Sequence, residues 1–296
     1  MRRHRTRPPR FDAEAVNGAK QNQMRLRFVV GFLLMLVGVG LPLAAMSSHG
    51  PPWGFRGHHA VVIELVGTVE GTMSEARRQR EKAFDDKLLL APNTRLDVGD
   101  ELRVARLSQG RLRLENADLV IGDGARLTLA PAGIRLARGV VDIALRDGAK
   151  MATVEIETGG TIIVRGVSAK ARVLVDGKGG AVAWVKDGSV EGRTARADVL
   201  ADPGREVVIH GDDIAVVPRR SAPTVSAMCS GQKLTVVAPP LTQVFAAGTL
   251  AYPDVAPGAQ TGSVVIDVDA DTQAVPVVVR DVHGQPATTT TTCARK

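Results

Sequence analysis

Aromatic side chains are scarce in this 296-residue chain, where six Phe, two Trp and one Tyr make up 3% of the residues. After residue 60 the chain has only Phe84, Trp184, Phe245 and Tyr252, so the core of any domain folded there must be aliphatic. Sites for sugars, flat cofactors and single-stranded nucleic acid rely on aromatic stacking, worth about 1–3 kcal/mol per base in the nucleic-acid case. We therefore expect no cofactor and no nucleic-acid partner.

Most of the chain also lacks an excess of charge of one sign. The formal net charge is +7, but residues 1–27 hold eight basic and two acidic side chains, which leaves 30 basic and 29 acidic side chains in the remainder. A nearly neutral globular part does not carry the electrostatic pattern of a nucleic-acid-binding surface. The basic excess belongs to the N-terminal segment.

No charged residue occurs between Phe28 and Met46. Nineteen residues form a helix of about 28 Å, close to the roughly 30 Å of a bilayer's hydrocarbon core. Because the basic residues precede this run, the positive-inside rule places the N-terminus in the cytoplasm. We predict a basic cytoplasmic tail (1–27), a transmembrane helix acting as signal anchor (28–46) and a Pro/Gly/His linker (47–59) in a single-pass protein of the bacterial inner membrane, with its bulk in the periplasm.

The alternative interpretation of the same segment is a cleaved signal peptide, since Ala45 and Ser47 suit the small-residue positions before a cleavage site. Both interpretations export the rest of the chain. Exported thiols are oxidised, so the two cysteines of the chain, Cys229 and Cys293, are expected to form a disulfide bond.

Strand-like segments dominate residues 60–217. Segments of five to seven residues that alternate Val, Leu, Ile and Ala with polar residues end repeatedly at Gly or Asp-Gly, as at Asp123-Gly124 and Asp187-Gly188. This spacing predicts an all-β fold of many short antiparallel strands, a sandwich or a solenoid, and excludes βαβ units. The exception is a charged helix from Glu75 to Lys87, capped by Ser74 and anchored by Phe84.

A hinge-like stretch, Pro218 to Pro223, separates this region from a small module over residues 222–296. Strands are predicted at Leu234–Val237, Val264–Val268 and Val275–Val279, and the run Thr288–Thr292 is either a further strand or a disordered tail. We predict a small β-sandwich-like module held by the disulfide.

Several ordered elements over residues 61–210 resemble the FecR-domain family, an exported all-β signalling module. The family's L-x-x-G-D-x-L element is matched by Leu96, Val98, Gly99, Asp100, Glu101 and Leu102. Its V-x-T-P and V-R-G-T elements are matched by Val154, Ile156, Thr158, Val164, Arg165 and Gly166. Its remaining strands are matched by Gly67, Thr68, Val69, Leu127, Leu129, Ile134, Leu136, Gly139, Val140, Val141, Val182, Val185, Gly188, Val190 and Gly204. Gly159 and Val167 depart from the family's Pro and Thr.

The resemblance implies a regulator that relays the state of an outer-membrane receptor to a cytoplasmic sigma factor. A helical anti-sigma domain usually precedes the membrane span in such regulators, and 27 residues that include Pro8 and Pro9 are too few to bury a helical bundle. This argues against direct sigma-factor inhibition. The function expected is a non-enzymatic signalling or protein-interaction module of the envelope. The alternative is a structural envelope protein that docks protein partners or cell-wall polymer without signalling.

Three groups of residues are candidates for chemistry, and none matches a known arrangement. Asp267, Asp269 and Asp271 have the spacing of a calcium loop, but Thr272 and Val278 occupy the positions that need Gly and Glu. His58 and His59 point apart in an extended chain, and His210 with Asp212 and Asp213 lacks an activated nucleophile. We therefore predict no metal site, no catalytic residue and no enzymatic activity.

Overall fold

The computed structural model describes residues 59–254, 259–269 and 274–293, in which strands predominate. The predicted tail, transmembrane helix and nearly all of the linker lie outside these residues, as do His58 and Asp271. Within the described ranges, no helix has the length and apolar character needed to cross a membrane. The prediction of a mostly β chain is confirmed for the part described, and the membrane span stays a prediction.

Fifteen strands of the first module belong to one hydrogen-bonded sheet. They are β1 (Ala60–Val66), β2 (Val69–Thr72), β3 (Lys87–Leu88), β4 (Arg95–Leu96), β5 (Glu101–Val104), β6 (Gln109–Leu114), β7 (Ala117–Ile121), β8 (Arg126–Ala130), β9 (Gly133–Leu145), β10 (Met151–Ile156), β11 (Thr161–Val175), β12 (Gly180–Arg193), β13 (Asp198–Ala201), β14 (Arg205–His210) and β15 (Asp213–Pro218).

The main path of this sheet runs β15-β14-β12-β11-β10-β9-β7-β6-β1-β4, and the remaining strands pair alongside it. Neighbouring strands are antiparallel apart from β9 and β10, which pair in parallel. The strands β9, β11 and β12 contain 13, 15 and 14 residues, longer than the five to seven that the glycine spacing predicted.

These long strands bend rather than end at their glycines. Residues 161–165 of β11 pair with β10, whereas residues 170–175 pair with β9. The register with β12 shifts in the intervening segment, where Gly166 has a φ of 116° and Gly188 a φ of 77°. The predicted strand end at Asp187-Gly188 is wrong, because the glycine lets the strand bulge and continue.

The core enclosed by this sheet is aliphatic, as the composition predicts. Its buried side chains are those of Ala, Val, Leu and Ile, with Leu102, Leu119, Ile143 and Val173 each at most 2% exposed. On each long strand the inward residues alternate with outward ones. The outward side chains of β9, β11, β12 and β14 therefore share the face of the sheet opposite this core.

The helix α1 spans Glu75–Glu81, and Ser74 caps it by accepting a hydrogen bond from the Arg77 N–H, as predicted. It ends six residues earlier than expected because Lys82 adopts a left-handed conformation with φ of 51°. Phe84 is therefore not an anchor: its side chain is fully exposed. The helix is held instead by Arg77, whose side chain is 11% exposed.

The C-terminal module consists of two small sheets that enclose an aliphatic core with Cys293 at its margin. One sheet has the order β16-β17-β20 and the other β19-β18-β21-β22. Their strands are β16 (Ser226–Ser230), β17 (Lys233–Ala238), β18 (Gln243–Ala246), β19 (Thr249–Ala251), β20 (Gly262–Asp267), β21 (Ala274–Arg280) and β22 (Pro286–Thr292).

The threonine run is a strand, β22, and not a disordered tail. Cys229 of β16 and Cys293 after β22 form a disulfide with a Cα–Cα distance of 5.1 Å, which confirms the predicted bond. The bond joins the edge strands of the two sheets and so closes one side of the module.

Candidate functional site: the junction of the two β modules

A row of four side chains crosses the outward face of the large sheet. Asp142 of β9 lies opposite Arg172 of β11, Arg172 opposite Trp184 of β12, and Trp184 opposite Glu206 of β14. Residues directly opposite each other on neighbouring strands share one face, so the register places all four side chains side by side. We call this set the polar row.

Two residues further along each strand lies an apolar row on the same face, formed by Val140, Leu174, Val182 and Val208. Leu241, Tyr252 and Val282 of the C-terminal module pack against it in one buried cluster. Leu174 and Val182 are fully buried, although they point away from the core of their own sheet. The apolar row is therefore the surface on which the C-terminal module docks.

The polar end of this junction is organised around the buried carboxylate of Glu206. Its Oε2 accepts a hydrogen bond of 2.7 Å from Arg220 Nε, and its Oε1 accepts one of 2.9 Å from the Arg220 backbone N–H. Arg220 Nη1 in turn donates to the Pro240 carbonyl at 3.1 Å. Because Glu206 is 0% exposed, these charge-assisted bonds provide the solvation that water would otherwise supply.

His283, in the turn between β21 and β22, completes the cluster from the C-terminal module. Its Nε2 lies 2.7 Å from Glu206 Oε1, and its ring meets the Trp184 ring edge-on, with centroids 4.5 Å apart. A carboxylate accepts hydrogen bonds, which assigns the hydrogen to Nε2. His283 Nδ1 is buried and has no hydrogen-bond partner within the described residues.

Cations surround the exposed side of Trp184. Lys186 Nζ lies 5.2 Å and the Arg219 guanidinium 5.3 Å from the ring centroid, within the range of cation–π attraction. Asp142 pairs with both Lys186 at 2.6 Å and Arg172 at 3.0 Å. Charged and aromatic side chains thus form a connected set that runs from Asp142 on β9 through Lys186 and Trp184 to His283 of the docked module.

Tyr252, the single tyrosine of the chain, is buried in the same junction. Burial raises the pKa of its hydroxyl above the ordinary value, and the hydrogen bond from Gln243 Nε2 at 3.3 Å opposes part of that effect. Ionisation of Tyr252 is therefore disfavoured while the module is docked.

The predicted Gly99 and Asp100 have a structural role at α1. The carboxylate of Asp100 is fully buried and accepts hydrogen bonds from the N–H groups of Ser74 and Asp97 at 2.9 Å and from Arg77 at 2.6 Å. Burial lowers the pKa of Arg77, but hydrogen bonds and attraction to Asp100 and Glu81 outweigh it and raise the pKa overall. Asp100 thus fastens the helix to the sheet, and Gly99 leaves room for the capping residue, because a Cβ there would lie 2.9 Å from Ser74 Cβ.

Arg165, Gly166 and Gly188 lie together at the bulge between β11 and β12. Arg165 Nη2 pairs with Glu191 at 2.6 Å. A hydrogen bond from Arg193, with further attraction to Arg165, lowers the pKa of Glu191. Thr158 is exposed in the turn after β10, and Gly204, with φ of 81°, lies in the turn before β14. The motif residues thus occupy separate places and form no common site.

The candidate chemical groups remain apart as well. His210 and Asp213 pair across the β14–β15 turn, and Asp267 and Asp269 are exposed at the end of β20. His59 contacts the Gly133 carbonyl at 3.2 Å. In the ranges that the structure describes, no group of three or more His, Cys, Asp or Glu side chains could hold a metal ion.

One sequence feature indicates that a second module covers the outward face of β12. The segment Gly180–Val185 reads Gly-Ala-Val-Ala-Trp-Val, so both faces of β12 are apolar where a half-exposed strand would alternate. Glu206 and His283, 77 residues apart, carry no such signal, because each is an ordinary surface residue type.

Known proteins resemble this chain only weakly. No protein-family model matches it, and no curated protein matches it. Two crystal structures of a candidate anti-sigma factor from Parabacteroides distasonis, at 1.65 and 2.50 Å resolution, are 14% and 13% identical to it, each with a TM-score of 0.34. Each alignment covers 40% of this chain and 59% of the other. Similarity at this level assigns no function.

Proposed function

We propose that this protein is a non-enzymatic protein-interaction module of the bacterial envelope that takes part in signalling. In this proposal residues 28–46 anchor it in the inner membrane with residues 1–27 in the cytoplasm, and its FecR-like β domain binds protein partners in the periplasm, among them an outer-membrane receptor. The disulfide Cys229–Cys293 supports export, because such bonds persist in oxidising compartments.

The observation that carries the proposal is a pair of large, exposed apolar side chains on one short segment of the chain. Phe84 is 108% exposed and Leu89 is 94% exposed, and both belong to the segment that follows α1. Single exposed apolar residues are ordinary, whereas neighbouring ones on a segment fixed to the sheet favour a protein contact. The segment is fixed because Lys87 and Leu88 form β3, which pairs with β2. We name Phe84–Leu89 the apolar loop.

The polar environment of the apolar loop favours a protein over an anionic membrane surface. Asp85 and Asp86 lie between the two apolar residues, and a backbone hydrogen bond from Lys87 lowers the pKa of Asp85, so this carboxylate stays ionised at neutral pH. With Lys87 in the same loop, two carboxylates and one ammonium group leave a net negative charge, which anionic lipids do not attract. A protein partner with basic groups around an apolar pocket fits both features.

The test is site-specific photo-crosslinking in living cells with a photoreactive amino acid at Phe84. The matched control places the same amino acid at Leu200, which is 61% exposed on β13. We expect a defined adduct from position 84 and none from position 200, and we expect Phe84→Ser to abolish a transcriptional response while protein levels stay constant.

Two outcomes distinguish this proposal from its alternative. An adduct with an outer-membrane receptor, together with the loss of the transcriptional response, supports signalling. An adduct with cell-wall enzymes or other structural components, with transcription unchanged, replaces signalling by structural docking. Equal labelling from both positions overturns the role of the apolar loop.

A further inference from the structure

A polar cleft of about 350 Å³ lies beside the junction, between the large sheet and the C-terminal module. Arg172 and Asp123 of the first module line it together with Gln243, Arg280 and Asp281 of the second. Its volume is that of a small-molecule site. The cleft shares no residue with the apolar loop.

Two guanidinium groups enter this cleft from opposite modules. Arg280 Nη1 lies 3.7 Å from Asp123 Oδ2, too far for a hydrogen bond, and its side chain is 47% exposed. Arg172 Nη2 pairs with Asp142, while its Nη1 lies against Gly284, where a Cβ would come within 2.7 Å of it. A carboxylate placed between the two arginines would gain charge-assisted hydrogen bonds from both modules.

A carboxylate without a cation also lines the cleft. Asp281 is 5% exposed, and its Oδ1 accepts the N–H groups of His283 at 2.9 Å and Gln285 at 3.0 Å. The Oδ2 atom of Asp281 is buried and has no hydrogen-bond partner within the described residues. No basic side chain in those residues forms an ion pair with the Asp281 carboxylate. An unpaired buried carboxylate oxygen is costly, and a donor that reached it would remove that cost.

Charge balance decides between the possible ligands. Among the residues that line the cleft, the positive charges of Arg172 and Arg280 are matched by the negative charges of Asp123 and Asp281. A ligand with a single charge would leave one group uncompensated in a partly desolvated cleft, whereas a ligand with one charge of each sign preserves the balance.

We propose that the cleft binds a small zwitterion, an amino acid or a short peptide, with its carboxylate between Arg172 and Arg280 and its ammonium group on Asp281. Because Oδ2 is buried, the ammonium reaches it through a shift of the turn from Asp281 to Gln285. That turn carries His283, so occupancy of the cleft is coupled to the contact between His283 and Glu206. A ligand held by both modules stabilises their docking by RT ln(1 + L/Kd), where L is the free ligand concentration.

The test is calorimetric titration of the purified full-length protein with alanine, dialanine and trialanine, and with acetate and ethylammonium as ligands of one charge each. We expect at least one of the zwitterions to bind about tenfold or more tightly than either single charge. The zwitterion that binds most tightly shows which distance between carboxylate and ammonium group the cleft accepts. This result distinguishes a free amino acid from a peptide as the ligand.

Two variants locate the site. Asp281→Asn keeps the Oδ1 acceptor that caps the turn but removes the charge, and Arg280→Gln changes a half-exposed side chain, so we expect both to fold. Each should weaken zwitterion binding about tenfold or more, whereas Arg205→Gln, an exposed arginine outside the cleft, should not. The proposal is overturned by zwitterions that bind no tighter than acetate or ethylammonium, or by unchanged binding in Asp281→Asn.

Discussion

Glu206 and His283 are 77 residues apart in the chain, yet their side chains meet at 2.7 Å and are 0% and 1% exposed. One belongs to the large sheet and the other to the C-terminal module, so the contact exists only when the two modules are docked. Trp184 lies next to both residues and reports on the same junction.

Replacement of Glu206 by Gln should destabilise the junction by about 3 kcal/mol, because Arg220 then remains without its buried counter-charge. The measurement is chemical denaturation followed by Trp184 fluorescence in a Trp53→Phe background. The control is Glu157→Gln, at an exposed turn position, which should change the unfolding free energy by less than about 0.5 kcal/mol. Equal effects of the two substitutions would contradict the role assigned to Glu206.

Alkaline pH should undock the C-terminal module through Tyr252. Burial raises its pKa in the folded state, so the docked form holds the proton more tightly than the unfolded chain does. The resulting stabilisation is complete below the unfolded value of about 10 and is lost as the pH rises through the folded value.

Since Tyr252 is the single tyrosine, tyrosinate absorbance during an alkaline titration reports this group alone. We expect it to titrate above the ordinary value and together with the change in Trp184 fluorescence. Tyr252→Phe should remove the tyrosine-dependent part of the alkaline loss of stability. A tyrosinate signal at the ordinary pKa with the junction intact would contradict the assignment.

Asp100→Asn should lower the unfolding free energy by about 2–4 kcal/mol. Three donors, Arg77 Nη1 and the N–H groups of Ser74 and Asp97, converge on the carboxylate, and an asparagine offers one acceptor oxygen and no charge. Thermal and chemical unfolding measure the loss. Asp147→Asn, at an exposed turn, serves as control and should be nearly neutral.

Gly188→Ala should be more destabilising than Gly204→Ala, although both glycines have φ near 80°. At Gly188 an added Cβ would lie 2.5 Å from the Arg165 carbonyl oxygen and would also meet Ala169, whereas at Gly204 it meets no atom within 4 Å. Strain from the left-handed conformation, about 1–2 kcal/mol, applies to both, and the steric clash applies only to Gly188. Equal unfolding free energies of the two variants would show that the bulge tolerates a side chain.

Removal of the disulfide in a Cys229→Ser, Cys293→Ser double variant should lower the unfolding free energy by about 4 kcal/mol. The cysteines are separated by 64 residues, and the chain-entropy model relates the loss to that loop. Reduction of the wild-type protein with dithiothreitol should reproduce the effect. A loss below about 1 kcal/mol in both experiments would show that sheet pairing alone closes the module.

Local sequence patterns predicted the elements of this fold well. Alternating aliphatic residues identified β17, β20 and β21, Ser74 identified the start of α1, and the two cysteines identified the disulfide. Each of these depends on interactions within a few residues or, for the cysteines, on their number together with the export expected from the sequence. Strand ends were less predictable, because a glycine with positive φ accommodates a bulge as readily as a turn, as Gly166 and Gly188 demonstrate.

By itself the sequence determined an aliphatic, mostly β protein with one exposed helix in its described part, since composition and alternation act through burial and local backbone preference. Only the tertiary structure decided the polar row, the apolar row and the cleft. These depend on the register of β9, β11, β12 and β14 and on where the C-terminal module docks. Register aligns residues far apart in the chain, so Asp142, Arg172, Trp184 and Glu206 become neighbours only once the strands pair, and His283 joins them only once the module packs on the sheet.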